Sequence, residues 1–401
     1  MVNVDYRQGM TLLTADQAAR RLGVKVETVY AYVSRGALGR QRRAGSRASW
    51  FDAGEVEQLA RRGRPRRTTR PPAIDVLVES GITAIGEDGH RYRGHLARQL
   101  ASTATFEQVA ELLWTGHLPA FAPWEPVSVS DAELPTPVDR LRHAVVLAAA
   151  GDPLAGDLRP EAVVPRARAL LATMAAAIPV TGDTRAARLD LGDGPLRGTI
   201  AGRLWPRLTG AGRPRPALVS ALNAALVLLA DHELAASTLA ARIAASTRAD
   251  PYAVVLAGLG PLAGPLHGRA SRHARRLLDD AADHGVAAAL RDALDAHGSY
   301  PGFGHPLYPD GDPRARQLLG LVRAAADTEV LDEVVDTVRR RAAVEPNVDL
   351  ALAALTAAAR MRPDAGEVVF AVARSAGWLA HALEEYASPP LRFRARAVYV
   401  G

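Results

Sequence analysis

The sequence predicts an all-α chain in which a small helix-turn-helix unit precedes a much larger helical body. Three observations carry this. Alanine, leucine and arginine, all strong helix formers, dominate, while aromatic residues supply only 5% of the 401 positions. Alternation of apolar and polar residues, the strand signal, is rare after residue 75. Long Ala- and Leu-rich runs are cut by Gly and Pro, which end helices. A chain of this length holds two or three domains and a substantial core.

The elements follow in order. In "TADQ", Thr14 and Gln17 form a capping box with Thr14 as N-cap. "DQAARRLG" is then a short helix ending at Gly23, and "KVETVYAYVSRG" a second ending at Gly36. Two short helices joined by a Gly-containing turn are a helix-turn-helix pattern. "ALGRQRRAGSRASWF" reads as two extended arms around Gly45-Ser46, a wing, after which Asp52 caps "AGEVEQLARR" with Glu55 three residues on. "RGRPRRTTRPP", 62–72, is an extended tether, because Pro removes backbone donors and the charges repel. From Asp75 the chain is mostly helical. "TFEQVAELLWTGHLPA" is an amphipathic helix stopped by Gly116 and Pro119. "PALVSALNAALVLLADHELAASTLAARIAAST" is apolar on nearly all faces, so at least part of it is buried. Asp231, His232 and Glu233 interrupt it, at a cost unless they are paired or face a cavity.

Composition excludes several classes. With no cysteine, neither a disulfide framework nor a thiolate metal site is possible. No apolar run reaches bilayer-spanning length, and "MVNVDYRQGM" lacks the apolar core of a signal peptide, so a cytoplasmic protein away from membranes is expected. There is no glycine-rich phosphate loop followed by Lys-Ser/Thr. The net charge of +6 is uneven: residues 35–72 carry eleven arginines against Asp52, Glu55 and Glu57, a local +8, which leaves −2 for the rest. Lys25 is the single lysine.

"LTADQAARRLGVKVETVYAYVSRG" resembles the winged helix-turn-helix of the MerR and excisionase type. That resemblance implies that the second helix enters the DNA major groove and the wing meets the backbone. It places Thr28, Tyr30, Tyr32 and Arg35 near DNA, with Arg40, Arg42, Arg43 and Arg47 on phosphates. A tri-helical module used only for packing or partner binding is the plainer alternative.

Four later places look chemical: "ADHELAAST" with His232, "GPLAGPLHG" with His267, "YPGFGHPLYPDGDPRA" with His305 and Arg314, and "EPNVDLALAAL" with Asp349. Beyond them "VFAVARSAGWLAHALEE" carries Arg374, and the tail reads "RFRARAVYVG". Singly each has a bland reading: a core or surface histidine, a helix cap, one arginine among many. In combination the order His, His, Gly-x-Gly-His, Asp-Pro-Arg, Pro-Asn-Val-Asp, Arg resembles the citrate synthase family. "ITAIGEDGHRYRGHLARQLASTATFEQVAELLWTGHLP" extends the likeness upstream, so that it covers residues 75–401.

The resemblance implies a two-domain all-helical homodimer. A large domain over 75–267 is followed by a small domain over 268–350, and 351–401 returns to the large domain. It follows a helix-turn-helix domain over 1–62 and a linker over 63–74. The reaction implied joins acetyl-CoA, or propionyl-CoA, to oxaloacetate. It uses no permanently bound cofactor and no metal, and the acyl-CoA is a co-substrate. By resemblance Asp349 is the base and His267 stabilises the enol. His305 polarises the ketone, while His232, Arg314 and Arg374 hold the carboxylates. Arg394 reaches across the dimer, and Gly302, Phe303 and Gly304 border CoA. Departures from the family pattern are Arg269-Ala270-Ser271 after "PLHG", the loop "PLYPDG" without a basic residue, and Ala395 where Pro is usual. They bear on CoA affinity and acyl-chain identity more than on reaction type. The competing function is a DNA-binding regulator whose synthase-like body senses oxaloacetate or acyl-CoA without turnover.

Overall fold

The computed structural model describes residues 12–22, 24–34, 38–42, 48–61, 77–86, 88–120, 124–125, 133–180, 196, 198–210 and 215–394. Two compact units divide the chain, residues 1–78 and 79–401.

The first unit comprises β1 (Leu12–Thr14), α1 (Ala15–Leu22), α2 (Val26–Ser34), β2 (Gln41–Arg42), β3 (Ser49–Asp52) and α3 (Ala53–Arg61). The strands pair antiparallel in the order β1-β3-β2. The Thr14/Gln17 capping box and the Asp52 cap read from the sequence form, and the Glu55 carboxylate accepts from Gly39 N–H at 2.8 Å. Thr14 N–H donates to Gln17 Oε1 at 2.9 Å and Gln17 N–H to Thr14 Oγ1 at 3.3 Å. Glu55 N–H donates to Asp52 Oδ1 at 3.0 Å. Ala18, Ala19, Val29, Leu38, Phe51 and Val56 close a small core, against which Tyr32 is half-buried. Tyr30 is exposed, with the Arg40 guanidinium over its ring at 5.7 Å. Gly23, Arg35, Gly36, Arg43, Gly45, Ser46, Arg47, the side chain of Arg42 and the 63–74 linker lie outside the described residues.

The second unit opens with a hairpin sheet that the sequence reading did not anticipate: β4 (Thr83–Gly86), β5 (Gly89–Tyr92) and β6 (His95–Leu96), all antiparallel. The β5–β6 turn is Arg93-Gly94, both with positive φ (48° and 87°). That geometry belongs to a two-residue hairpin, which usually shows Asn or Asp first. The Arg93 guanidinium offsets its own backbone strain by donating to Leu113 O at 2.9 and 3.2 Å.

Helices follow: α4 (Ala97–Thr103), α5 (Phe106–Thr115), α6 (Pro137–Ala150), α7 (Pro160–Ala176), α8 (Ile200–Thr209), α9 (Pro216–Leu229), α10 (Ala236–Ser246), α11 (Pro251–Leu262), α12 (Ala270–His284), α13 (Val286–His297), α14 (Pro313–Ala325), α15 (Glu329–Ala342), α16 (Val348–Ala358) and α17 (Ala365–Ala387). α5 carries a Thr105/Gln108 capping box and stops at Gly116, which adopts φ 78°. The long apolar run divides into α9 and α10 at the Asp231-His232-Glu233 interruption. Every residue from Ala221 to His232 is buried, as is every residue of α17 from Ala365 to Ala382. α17 packs against α5, α7, α9, α10 and α11, so it is the axis of this unit. Among the described residues no helix is long and apolar enough to cross a membrane.

The closest approach in this core is at Gly258 of α11. A Cβ there would sit 2.4–2.6 Å from the indole of the fully buried Trp378. Gly258→Ala is therefore expected to destabilise by about 1–3 kcal/mol, the usual cost of overpacking. Gly260→Ala on the same helix meets nothing within 4 Å and should leave the thermal midpoint unchanged or raised. Equal midpoints for the two variants in thermal unfolding would contradict this packing.

Candidate active site

The α9–α10 break is built around one hydroxyl. Tyr92, fully buried on β5, places its Oη 2.9, 3.3 and 3.0 Å from the carbonyl oxygens of Val227, Leu228 and Asp231. It also accepts the Asp231 N–H at 3.2 Å and lies 3.0 Å from His90 Nε2. On the other side Gly377 of α17 donates its N–H to Ala230 O at 3.0 Å. Any Cβ at Gly377 would fall 2.5 Å from Ala230 O and Asp231 Oδ1. Tyr92 Oη, with one proton to donate, and the Gly377 N–H thus cap the end of α9, and His232 is turned inward.

His232 is buried, with Nε2 2.8 Å from Tyr308 Oη. Its ring stands edge-on to His90 (5.7 Å between centroids), His305 (5.6 Å) and Tyr308 (5.6 Å). Burial, then the charges of Arg314 and Arg374, hold its pKa well below the ordinary histidine value. His305 is lowered for the same first two reasons, burial and Arg314. Leu307 N–H donates to His305 Nδ1 at 3.2 Å. Arg314 Nη2, which can only donate, stands 3.4 Å from Nε2, so each ring nitrogen of His305 faces a donor.

His267 stands at the handover between α11 and α12. Gly268 is required beside it, because a Cβ there would lie 2.6–2.7 Å from the backbone and side chain of Leu262. Ser237 Oγ, on α10, is 2.7 Å from His267 Nε2, and Phe370 packs edge-on against the ring at 5.4 Å. Among the described residues nothing is hydrogen-bonded to Nδ1. Burial, aided by Arg374, lowers the His267 pKa to about 4, so the ring is neutral at pH 7.

The loop that carries His305 is strapped to the start of α16. Asn347 N–H donates to Gly302 O (2.9 Å), Gly304 N–H to Glu345 O (2.8 Å) and Asn347 Nδ2 to Gly304 O (2.9 Å). Phe303 bridges to Pro346. Gly302 and Gly304 both have positive φ (86° and 75°). Gly302 faces inward, since its missing Cβ would lie 2.8 Å from Leu350 and 3.0 Å from Ala274. Gly304 is exposed, with nothing within 4 Å of a Cβ. All three residues expected to border CoA take part in the strap, Gly302 buried within it and Gly304 exposed.

Asp312 joins these parts. Its buried carboxylate accepts from Arg314 N–H (2.9 Å), Arg314 Nε (3.0 Å), Arg314 Nη2 (2.8 Å) and Val348 N–H (3.1 Å). Arg314 is buried, with its guanidinium 5.7 Å from the Tyr308 ring centre and Nη2 3.4 Å from His305 Nε2. Asp349 follows in the first turn of α16, capped by Asn347 Oδ1 at 3.0 Å. Among the described residues nothing donates to its carboxylate. Burial pushes the Asp349 pKa up to about 6 against the opposing pull of Arg314.

Arg374 completes the set from α17. It is buried, donates Nε to Leu229 O at 2.8 Å and stacks on Phe370 at 4.8 Å. Among the described residues no carboxylate lies within ion-pair distance of it. Burial lowers its pKa to about 10, so it stays charged. A buried guanidinium with no carboxylate partner among the described residues, beside Arg314 and histidines whose pKa values are lowered, is suited to bind an anion.

The structure therefore gathers His232, His267, His305, Arg314, Asp349 and Arg374 about one centre. Arg394 is not among them: it is exposed on the tail and makes no ion pair or hydrogen bond with the described residues. The sequence reading missed His90, Tyr92, Ser237, Tyr308 and Asp312. Their signals are single polar residues whose partners lie far along the chain. Only Asp312 had a local signal, its place in Asp-Pro-Arg. Two departures noted above find partners on α17. Arg269 Nε is 3.5 Å from Glu367 Oε1, and buried Ser271 fills the space over Gly366.

Comparison with known proteins agrees with this geometry. The family model described as "Citrate synthase, C-terminal domain" matches residues 75–396. The chain is 31% identical over 358 residues to "Citrate synthase 2" of Bacillus subtilis (strain 168), covering 81% of this chain and 94% of that one. It is 29% identical over 327 residues to "2-methylcitrate synthase 2" of Corynebacterium glutamicum, covering 74% and 84%. Among solved structures, a ternary complex of carboxymethyl coenzyme A and oxaloacetate with citrate synthase from Thermoplasma acidophilum has the same fold. It gives a TM-score of 0.65 at 22% identity, over 81% of this chain and 94% of that one. On the family match and the relatives together, this chain belongs to the citrate synthase family.

Proposed function

We propose that the chain is a citrate synthase-type transferase that condenses acetyl-CoA, or propionyl-CoA, with oxaloacetate to give citrate, or 2-methylcitrate, and CoA. It needs no permanent cofactor. One observation carries the site assignment: buried Arg374, without a carboxylate partner among the described residues, shares its centre with the unbonded, pKa-raised carboxylate of Asp349. Asp349 takes a proton from the carbon next to the thioester carbonyl. The electron pair moves to the carbonyl oxygen, which His267 Nδ1 stabilises. The enol carbon attacks the ketone carbon of oxaloacetate, which His305 polarises. His232, Arg314 and Arg374 hold the two carboxylates, the arginines by forked hydrogen bonds. Water then cleaves the thioester and releases CoA. Gly302, Phe303 and Gly304 shape the CoA side, with exposed Leu266 and Leu307 at its edge.

The small domain runs over 268–350 and closes on the large domain of 75–267 and 351–401, about the His267 handover. The enzyme is a homodimer in which Arg394 reaches the partner's site. Exposed Val146 and Leu147 on α6, and Leu154 beyond it, support an apolar subunit interface.

Residues 1–62 are a MerR/excisionase-like winged helix-turn-helix domain that binds DNA. The local +8 over 35–72 and the exposed Tyr30–Arg40 pair support this. Thr28, Tyr30, Tyr32 and Arg35 lie at the groove, and Arg40, Arg42, Arg43 and Arg47 on phosphates. The alternative, a regulator that senses the substrates without turnover, leaves the unbonded Asp349 carboxylate unused.

Three predictions follow from these assignments. In a thiol-release assay Asp349→Ala and His267→Ala each lose most of the turnover, and the double variant loses little more, since the two act on one enol. Below about pH 6 Asp349 is protonated and cannot accept a proton, so wild-type kcat/KM falls about tenfold per unit on that side. The His267 pKa of about 4 keeps that ring out of the same range. Near wild-type rates in Asp349→Ala would remove the mechanism. No release with any acyl-CoA would favour the sensor.

Oxaloacetate raises the thermal midpoint by mass action, and Arg374→Leu and Arg314→Leu largely abolish that shift. The ligand-induced shift is the readout for Arg314→Leu, because losing its partner strands buried Asp312 and lowers the starting midpoint. An undiminished shift in either variant means the dicarboxylate is held elsewhere.

The intact protein retards duplex DNA with steep salt dependence, and neutralising Arg42, Arg43 and Arg47 weakens binding to all sequences and flattens the slope. Changing Thr28 or Tyr32 alters sequence preference instead. Deleting residues 1–72 leaves thiol release unchanged. Mobility shifts on genomic fragments at several salt concentrations decide it: no retardation at low salt ends the DNA reading.

A further inference from the structure

Arg394 lies away from its own chain's site, but the segment from which it projects is tightly held. Three arginines converge where α17 ends. Arg248 donates to the carbonyls of Glu385 (3.0 Å), Tyr386 (2.6 Å) and Ser388 (2.7 Å). Arg242, fully buried, donates to Glu385 Oε1 (2.6 Å), Glu384 Oε2 (2.9 Å) and His381 Nδ1 (2.5 Å). Arg392 closes the group from outside, Nε to Glu385 Oε2 at 2.8 Å and Nη2 to Oε1 at 2.6 Å. This is a bidentate pair on a carboxylate with no exposed surface, from an arginine one-third exposed. Beside it Leu391 sits at φ 58° and donates its N–H to Ser246 O at 2.9 Å. A non-glycine residue keeps that backbone only where its surroundings impose it.

We propose that Arg392 is a positioning residue. Its pair with Glu385 fixes where the tail leaves the body, so that Arg394 is delivered to the dicarboxylate site of the partner protomer. The inference rests on the Arg394 reading given above. The physical reason is entropic. Placing a guanidinium on a free tail costs the ordering of every rotatable bond behind it. Two extended residues span only about 7 Å. Holding residue 392 therefore confines residue 394 to a small volume before substrate arrives. The anchor is rigid because Glu385 is also held by Arg242, and Arg242 by His381. His381 Nδ1 accepts from Arg242, so its proton is on Nε2, 3.3 Å from Asp231 Oδ2. The tail anchor is thus continuous, through buried charge, with the residue next to His232.

The test uses the full-length enzyme and steady-state kinetics. Arg392→Ala raises KM for oxaloacetate roughly fivefold, the worth of a well-formed bidentate pair at a partly exposed site. kcat and KM for the acyl-CoA stay near wild type. Arg392→Lys recovers part of the loss. In an Arg394→Ala background Arg392→Ala adds nothing to KM, yet it lowers the thermal midpoint as much as in wild type. If Arg392→Ala raises KM equally in both backgrounds, or leaves it unchanged while Arg394→Ala raises it, the anchor is only structural and the proposal falls. If Arg394→Ala itself leaves KM unchanged, the Arg394 reading fails and takes the anchor's purpose with it.

Discussion

The Asp312 carboxylate accepts four hydrogen bonds, three from Arg314 and one from the Val348 amide, and the catalytic geometry hangs on it. It ends the His305 loop, begins α14 and reaches the first amide of α16. The His305 loop and α14, contiguous at Asp312, are thereby fixed to the start of α16, 36 residues on. Burial alone would raise the Asp312 pKa, but the Arg314 guanidinium holds it below the usual carboxylate range. The pair is costly to bury. What it secures is an arginine whose Nε and one Nη are already committed, so that its remaining donors point one way. Preorganised donors of this kind need no rearrangement when charge arrives.

Around that pair the charge balance explains why the histidines work neutral. His90, His232, His267 and His305 all lie in the field of Arg314, Arg374 or both, and burial and that field lower each of their pKa values. A second source of positive charge is therefore suppressed at the centre. A dianion binds two guanidiniums, and the rings remain donors and acceptors of hydrogen bonds. Asp349 is shifted the other way, up to about 6. A base with a pKa a little below neutrality is mostly ionised at pH 7, yet more basic than an exposed carboxylate.

Much of this was legible in the sequence, and the exceptions share a cause. The capping box at Thr14, the cap at Asp52, the stop at Gly116 and the break at Asp231 depend on neighbours within a few residues. The six clustered site residues sit in short motifs whose order, more than any one of them, carries the family likeness. The β4–β6 hairpin was missed because Arg93 occupies a turn position that ordinarily goes to Asn or Asp, and its compensation is a carbonyl on α5. Tyr92 and Ser237 were missed because a lone hydroxyl says nothing of a partner 135 or 30 positions away. Asp312 stands before Pro313, where a helix cap is ordinary. It is one, and the bond to Val348 adds a reach of 36 residues that no local spacing encodes.

α17 shows how one helix face unites these parts. Phe370, Arg374, Gly377, His381 and Glu385 recur at intervals of three and four, so they form a single stripe. From Phe370 to Glu385 that stripe runs about 22 Å along the axis. At one end Phe370 meets the His267 ring and the Arg374 guanidinium. In the middle Gly377 lets the α9–α10 break come within bonding distance, and His381 takes the Asp231 carboxylate. At the far end Glu385 gathers Arg242 and Arg392. A helix buried on every side through Ala382 cannot shift one end without the other, because its neighbours are close-packed. Arg374 and the exit of the tail at Arg392 are therefore fixed by the same rigid body. That common frame lets a residue on a surface tail be placed with the accuracy of a core residue.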